Sequence, residues 1–190
     1  PRTNYLLDAL AQTDFAKSVM TGGLLWQNEF FMPDWLKSGN YNKDELIQIF
    51  SDHVFQIAKL CAQKVTDITV VNEPIDRAPS VEGEQNWPYF FHNYAGGESG
   101  TLSGSGIEWI EEPFRKAQEA APNVQLGLNQ FGLEFGGSAA NNCYDLIERM
   151  MKNDTRIDFV GFQGHVQAGW FLGADGQLDE TMLQTQMQKL

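Results

Sequence analysis

The sequence is poor in cysteine, in basic residues and in long apolar runs. Two cysteines among 190 residues are too few for a disulfide framework or a cysteine metal cluster, and we expect Cys61 and Cys143 to be free buried thiols rather than one bridge. Basic residues number 13 against 25 acidic ones, a formal charge of −12, which argues against a nucleic-acid partner and suits a neutral ligand. No stretch approaches the ~18 uncharged apolar residues of a membrane span, so no membrane partner is expected.

Metal ligands and targeting signals are also scarce. The three histidines, His53, His92 and His165, are too scattered to argue for a zinc site, and we predict no metal and no cofactor. The sequence starts at Pro1 without a signal-peptide pattern, which we interpret as a start partway into a longer protein. Hydrophobic residues make up 42% of the chain, enough to bury the core of a single domain over residues 1–190.

Short apolar runs alternate along the chain with longer segments of helical period. The runs predict four strands: Val19–Trp26, Ile68–Asn72, Val124–Phe131 and Ile157–Gln163. The segments between them predict helices over about Leu6–Lys17, Lys43–Gln63, Ile107–Ala121, Ser138–Lys152 and Asp179–Leu190, with Asn42 and Ser138 as N-terminal caps. Strands that are apolar on both faces and alternate with helices indicate an α/β fold, with parallel strands in sequential order and helices outside. Such a chain is either a small open α/β domain or about half of a (β/α)8 barrel.

The sharpest chemical feature is Glu73, which follows the apolar run Ile68–Asn72 and precedes Pro74. Functional groups of parallel α/β folds gather at the carboxyl ends of the strands, and glutamate is otherwise a poor choice for a strand end. One interpretation is a structural carboxylate that caps a helix or bonds a loop. The other, which we favour, is a general acid/base.

A second polar group lies at the end of the fourth predicted strand. Gln163 and His165 can donate and accept hydrogen bonds at the mouth of the same sheet, and Gly164 permits close approach of backbone. His165 alone fits a structural role as well as a functional one. The remaining acidic residues are less promising, because Glu111, Glu112 and Glu119 lie on a predicted helix whose other face is the core and are expected to face solvent.

In order from about Phe15, these segments resemble glycoside hydrolase family 10, the retaining endo-β-1,4-xylanases. The matching stretches are Leu25–Gln27, Pro33–Leu36, Gly39–Tyr41, Thr69–Glu73, Leu128–Gly132 and Gly161–His165. The resemblance implies a partial (β/α)8 TIM barrel, covering about strands three to six and incomplete at both ends. It also implies a secreted enzyme that takes xylan, or a related β-1,4-linked polysaccharide, as its substrate.

The resemblance assigns roles to individual residues. Glu73 is the acid/base, and His165 orients the nucleophile, while the substrate-binding residues are Trp26, Asn72, Asn129 and Gln163. Retaining hydrolysis needs a second carboxyl about 5–5.5 Å from the first. The family supplies it at the end of its seventh strand, which this chain does not contain. The chain alone is therefore expected to be inactive, with Glu134 as the one internal substitute we can name.

Four positions depart from the family pattern. Gly22 and Gln27 stand where the family has histidines, and Gln130 and Phe131 replace the Asp-Tyr of its fifth strand. These departures affect expected sugar contacts and leave the acid/base in place. They keep two alternatives open: a related β-1,4-glucanase or mannanase, and a non-catalytic barrel remnant that binds polysaccharide.

Overall fold

The computed structural model describes residues 20–26, 32–39, 41–75, 107–167, 169–170, 172, 176 and 181–189. The strands are β1 (Met20–Thr21), β2 (Leu25–Trp26), β3 (Asp67–Asn72), β4 (Gln125–Gln130) and β5 (Phe159–Phe162). The helices are α1 (Asp34–Ser38), α2 (Lys43–Cys61), α3 (Glu108–Ala120), α4 (Gly137–Lys152) and α5 (Thr181–Met187), with a 3-10 turn at Leu133–Phe135. The predicted helix Leu6–Lys17 lies outside the described residues.

All described strand pairings are parallel, and the strands follow one another in sequence order. β1 and β2 both pair with β3, so together they form the predicted first strand, Val19–Trp26. Met20 pairs with Asp67, and Leu25 pairs with Val71. The first strand therefore advances five residues while β3 advances four, so the first strand contains one extra residue. The prediction of four sequential parallel strands is confirmed, with a break in the first that the apolar pattern did not indicate.

The core lies between this sheet and the helices outside it. In β3 and β4 the consecutive apolar residues are buried on both faces, with Val70 and Val71 completely enclosed. The apolar faces of the helices pack against these strand residues in one buried cluster, and α2 packs against α3. Burial on both faces of a parallel sheet is the arrangement that βαβ connections produce. None of the described helices is long and apolar enough to cross a bilayer.

The helix termini show where local sequence rules hold and where backbone geometry overrides them. Asn42 caps α2 as predicted, in a capping box in which Asn42 Oδ1 accepts from Glu45 N at 3.0 Å and Glu45 Oε2 accepts from Asn42 N at 2.9 Å. Ser138 does not cap α4, because that helix already begins at Gly137. Gly136 and Gly137 have φ of 72° and 79°, so this pair of glycines makes the turn into the helix.

Glu111 corrects one expectation. It is buried at 4% exposure, whereas Glu112 beside it is half-exposed. Glu111 Oε1 accepts from Asn153 Nδ2 at 2.9 Å, and its other oxygen lies 3.8 Å from the Arg115 guanidinium. The prediction that Glu111 faces solvent is therefore wrong, and the residue ties α3 to the segment that precedes β5. Cys61 and Cys143 are both buried and unbridged, as expected.

Candidate active site

The strand register explains how distant residues reach one place. Trp26 pairs with Asn72, Asn72 pairs with Asn129, and Asn129 pairs with Gly161, so these four residues form one row across the sheet. The row lies at the carboxyl ends of the strands. Residues that follow it, including Glu73 and Gln163, therefore emerge at the same edge of the sheet.

Glu73 has an unusual backbone conformation. Its φ is +54°, in the left-handed region, which costs a residue other than glycine about 1–3 kcal/mol unless the surroundings impose it. The Glu73 amide donates to Asn129 O at 2.7 Å and so fastens this residue to the end of β4. Backbone strain of this kind is often found where a side chain must be held in one direction for function.

The half-buried Glu73 carboxyl is held by two N–H donors from different strands. Trp26 Nε1 donates to Oε2 at 2.9 Å, and Gln163 Nε2 donates to Oε1 at 2.8 Å. Each carboxyl oxygen has more than one lone-pair site, so neither bond uses the full accepting capacity of its oxygen. The arrangement fixes the carboxyl in place without blocking acid/base chemistry.

Three amide side chains form a hydrogen-bonded cluster beside this carboxyl. Asn129 Nδ2 donates to Asn72 Oδ1 at 2.8 Å, and Gln163 Nε2 lies 3.4 Å from the same oxygen. Gly161 makes space for this cluster, because a Cβ at that position would stand 2.6 Å from Asn129 Oδ1. The cluster can bond hydroxyl groups of a ligand placed against Glu73.

His165 is attached to the site through Gln163. Its Nε2 lies 2.7 Å from Gln163 Oε1, and the ring is exposed. A carbonyl oxygen only accepts, so this hydrogen bond requires a proton on Nε2, and Nδ1 is the ring nitrogen that faces away from Gln163. Gln163 thus connects His165 to Glu73, because its side-chain oxygen bonds His165 and its side-chain nitrogen bonds Glu73.

Two buried polar residues of the site were not foreseen in these roles. Gln130 exchanges two hydrogen bonds with the backbone of Ile75, just beyond Glu73. Glu134, which is 2% exposed, accepts a hydrogen bond from Gly164 N through Oε1. The sequence offered one signal for Gln130, because it continues the alternate positions of Leu126 and Leu128 in the strand, and a large amide buried there needs partners.

The structure brings together all six residues that the sequence nominated: Trp26, Asn72, Glu73, Asn129, Gln163 and His165. Their catalytic and binding roles stay predictions. Gly22 is exposed, with open space where a side chain would stand, and Gln27 lies outside the described residues. Across the part of the chain that the structure describes, no three histidine, cysteine, aspartate or glutamate residues gather as a metal site would require.

Known proteins resemble this chain over nearly its whole length. The family model for glycosyl hydrolase family 10 matches residues 6–190. Endo-1,4-beta-xylanase A of Cellvibrio japonicus is 31% identical over 144 residues, which are 75% of this chain and 22% of that protein. Endo-1,4-beta-xylanase 2 of Aureobasidium pullulans is 26% identical over 166 residues, which are 85% of this chain and 41% of that protein.

Solved structures agree with the sequence matches. A mutant of xylanase A from P. fluorescens subsp. cellulosa, in complex with xylopentaose, superposes with a TM-score of 0.76 at 28% identity over 99% of this chain. A thermostable mutant of a xylanase from Cellvibrio japonicus gives 0.74, also at 28% identity, over 98% of this chain. This chain spans about half of those two structures, 50% and 49%, and corresponds to part of a (β/α)8 barrel. By its sequence and its fold, the chain belongs to glycosyl hydrolase family 10.

Proposed function

We propose that the full-length protein hydrolyses β-1,4-linked xylan with retention of anomeric configuration, and that Glu73 is its acid/base. The observation that carries the proposal is the Glu73 carboxyl held by Trp26 Nε1 and Gln163 Nε2 at the edge where the strands end. Family membership supports a glycosidase. Relatives named endo-1,4-beta-xylanase and a neighbour in complex with xylopentaose support xylan as the substrate.

In the first step, Glu73 gives its proton to the glycosidic oxygen as the bond to the departing sugar breaks and the nucleophilic carboxylate bonds to the anomeric carbon. In the second step, the same carboxylate takes a proton from the attacking water. Both steps need the carboxyl at one fixed position, which the bonds from Trp26 and Gln163 supply. These donors also stabilise the carboxylate that remains after the proton has left.

The surrounding amides bind the sugar in this mechanism. Asn72 Oδ1 already accepts from Asn129, so Nδ2 is the end of the Asn72 amide that is offered to the sugar 2-hydroxyl. A bond to that hydroxyl strengthens in the oxocarbenium-like transition state. The Trp26 indole serves as a platform for the apolar face of the sugar ring beside the acid/base.

The nucleophile is proposed to lie after Leu190, and His165 Nδ1 is proposed to orient it. Glu134 is a poor substitute, because it is buried and its Oε1 is engaged with the Gly164 amide. We therefore expect the 190-residue chain by itself to show no hydrolysis. Secretion is proposed as well, since a polysaccharide is too large to reach an enzyme enclosed in a cell.

The test is Glu73→Gln in the full-length protein, with Glu119→Gln as the matched control on the exposed side of α3. Xylan has a poor leaving group that needs protonation, whereas an aryl xylobioside with an acidic phenol does not. We expect kcat/KM on xylan to fall about 10²–10⁴-fold and kcat/KM on the activated aryl substrate to fall far less. The control should match wild type on both.

Equal losses on both substrates would mean that Glu73 is structural, and the proposal would fail. Proton NMR of the first product formed tests the stereochemistry, because retention gives the β-anomer before mutarotation. Assays on β-1,4-glucan and β-1,4-mannan decide between xylan and the related substrates. Binding of polysaccharide without hydrolysis by the full-length protein would instead identify a non-catalytic barrel remnant.

A further inference from the structure

Gln130 is the last residue of β4 and is completely buried, so its amide must find partners inside the protein. Ile75 N donates to Gln130 Oε1 at 3.1 Å, and Gln130 Nε2 donates to Ile75 O at 3.3 Å. Nε2 also lies 3.2 Å from Phe131 O. One amide therefore holds both backbone groups of Ile75 and joins them to the end of β4.

Ile75 lies two residues beyond Glu73, and the segment between them is fastened on both sides. On one side, Glu73 N donates to Asn129 O at 2.7 Å. On the other, Gln130 holds Ile75. Glu73 lies between these two attachments with a φ of +54°, a conformation that persists only where its surroundings enforce it.

We propose that Gln130 is a positioning residue for Glu73. Its amide fixes the segment Glu73–Ile75, so that the left-handed backbone at Glu73 directs the carboxyl to Trp26 Nε1 and Gln163 Nε2. The catalytic consequence of this role rests on the proposed function. The geometric consequence does not, because it concerns only where the Glu73 carboxyl lies.

The chemistry of the position favours a primary amide. A carboxylate would accept from Ile75 N but has no proton for the carbonyl oxygens of Ile75 and Phe131. An aliphatic side chain would leave all three backbone groups without this partner. The backbone of Gln130 acts separately, since its carbonyl accepts from Gln163 N at 3.3 Å, and that bond survives a side-chain substitution.

The experiment compares Gln130→Leu and Gln130→Glu with wild type in the full-length protein. The first readout is the indole N–H resonance of Trp26 in protein labelled with ¹⁵N-tryptophan, assigned by its loss in Trp26→Phe. This proton donates to Glu73 Oε2, so its shift reports where the carboxyl lies. The second readout is kcat and KM on aryl xylobiosides with good and poor leaving groups.

In Gln130→Leu, we expect the Trp26 resonance to move toward that of an indole without an acceptor. We also expect kcat/KM on poor leaving groups to fall about 10–100-fold, since a misplaced acid loses most of its effect. The loss on good leaving groups should be far smaller, and KM should change little because Gln130 is completely buried and a ligand in the site cannot reach its side chain. Gln130→Glu keeps the bond from Ile75 N but sets a carboxylate oxygen against the carbonyl oxygens of Ile75 and Phe131, so it should also move the Trp26 resonance away from that of wild type.

The control is Thr155→Val, which removes a buried hydroxyl just before β5, at the end of the strands opposite to the site. It should lower stability without moving the Trp26 resonance or the dependence on leaving group. If Gln130→Leu does not fold, the nearly isosteric Gln130→Glu carries the same comparison. A Trp26 resonance identical to wild type in the Gln130 variant would overturn the inference. A wild-type protein that cleaves no β-1,4-glycan would overturn the proposed function, and the Trp26 resonance alone would then decide the role of Gln130.

Discussion

Gly23 packs directly against Asn72. A Cβ at residue 23 would stand 2.5 Å from Asn72 Cβ, closer than real Cβ atoms approach, and 3.3 Å from Asn72 N, which is a tight contact. Asn72 Cβ is attached to the backbone of β3 and cannot swing aside. The missing side chain at residue 23 therefore sets how near the first strand comes to the end of β3, and with it to Glu73.

This contact predicts opposite outcomes for two neighbouring glycines. Gly23→Ala must push the first strand or Asn72 aside, so we expect a loss of about 1–3 kcal/mol in the free energy of unfolding and a fall of about 10–100-fold in kcat/KM on xylan. Gly22→Ala meets no atom within 4 Å and should change stability by less than about 0.5 kcal/mol. Urea unfolding and steady-state kinetics on the full-length proteins measure both. Two variants that behave alike would contradict the packing described here.

The convergence of the site was predictable because it follows from topology. Apolar runs alternating with helical periods indicate parallel strands, and parallel strands end at one edge. Asn72 and Gln163 each end such a run and Glu73 follows one, so their meeting required no knowledge of side-chain contacts. The distances were not predictable, because they depend on the register, which puts Asn72 beside Asn129 and Asn129 beside Gly161.

What was missed at Glu111 and Gln130 has one cause, which is that tertiary partners are invisible in a local pattern. Glu111 was expected in solvent because a charged residue on an amphipathic helix usually faces water. Its partner Asn153 lies 42 residues further along the chain, and only the packing of α3 shows it. Gln130 departs from the family pattern, and that much is visible in the sequence. Its hydrogen bonds with Ile75, 55 residues earlier, are visible only in the folded structure.

The environment of Glu111 gives a stability prediction with a built-in control. Glu111→Ala removes the acceptor that Asn153 Nδ2 and Thr155 Oγ1 share, and it removes the charge beside Arg115. Leaving such groups unpartnered should cost about 1–3 kcal/mol of unfolding free energy. Glu112→Ala breaks only a half-exposed ion pair with Arg115 and should cost at most about 1 kcal/mol. Chemical unfolding of both variants measures these losses. Equal losses in the free energy of unfolding would mean that Glu111 faces solvent as Glu112 does.

The last prediction concerns alkaline pH and Cys143. Burial raises the pKa of this thiol from its ordinary value of 9.0 to about 12. Between those two values the unfolded chain releases the thiol proton while the folded chain keeps it. The folded state therefore binds the extra proton, and its stability falls as pH rises through this window, by up to about 1.4 kcal/mol per pH unit from this one group.

Well below pH 9 the thiol is protonated in both states and contributes almost no pH dependence. Cys143→Ala should lower stability at pH 8, because it leaves a small cavity, and should flatten the decline between pH 9 and 11. The measurement is the free energy of unfolding in urea with a reducing agent, taken as the difference between wild type and variant at each pH. Taking the difference removes the contributions of other groups that titrate in the same range, provided that the substitution at Cys143 does not change their pKa values. Tyr144 is the neighbour whose titration the substitution changes, because burial and, to a smaller extent, the charge of the Cys143 thiolate raise the pKa of Tyr144. If the two curves stay parallel up to pH 11, the Cys143 thiol ionises as readily in the folded protein as in the unfolded chain, which its complete burial should forbid.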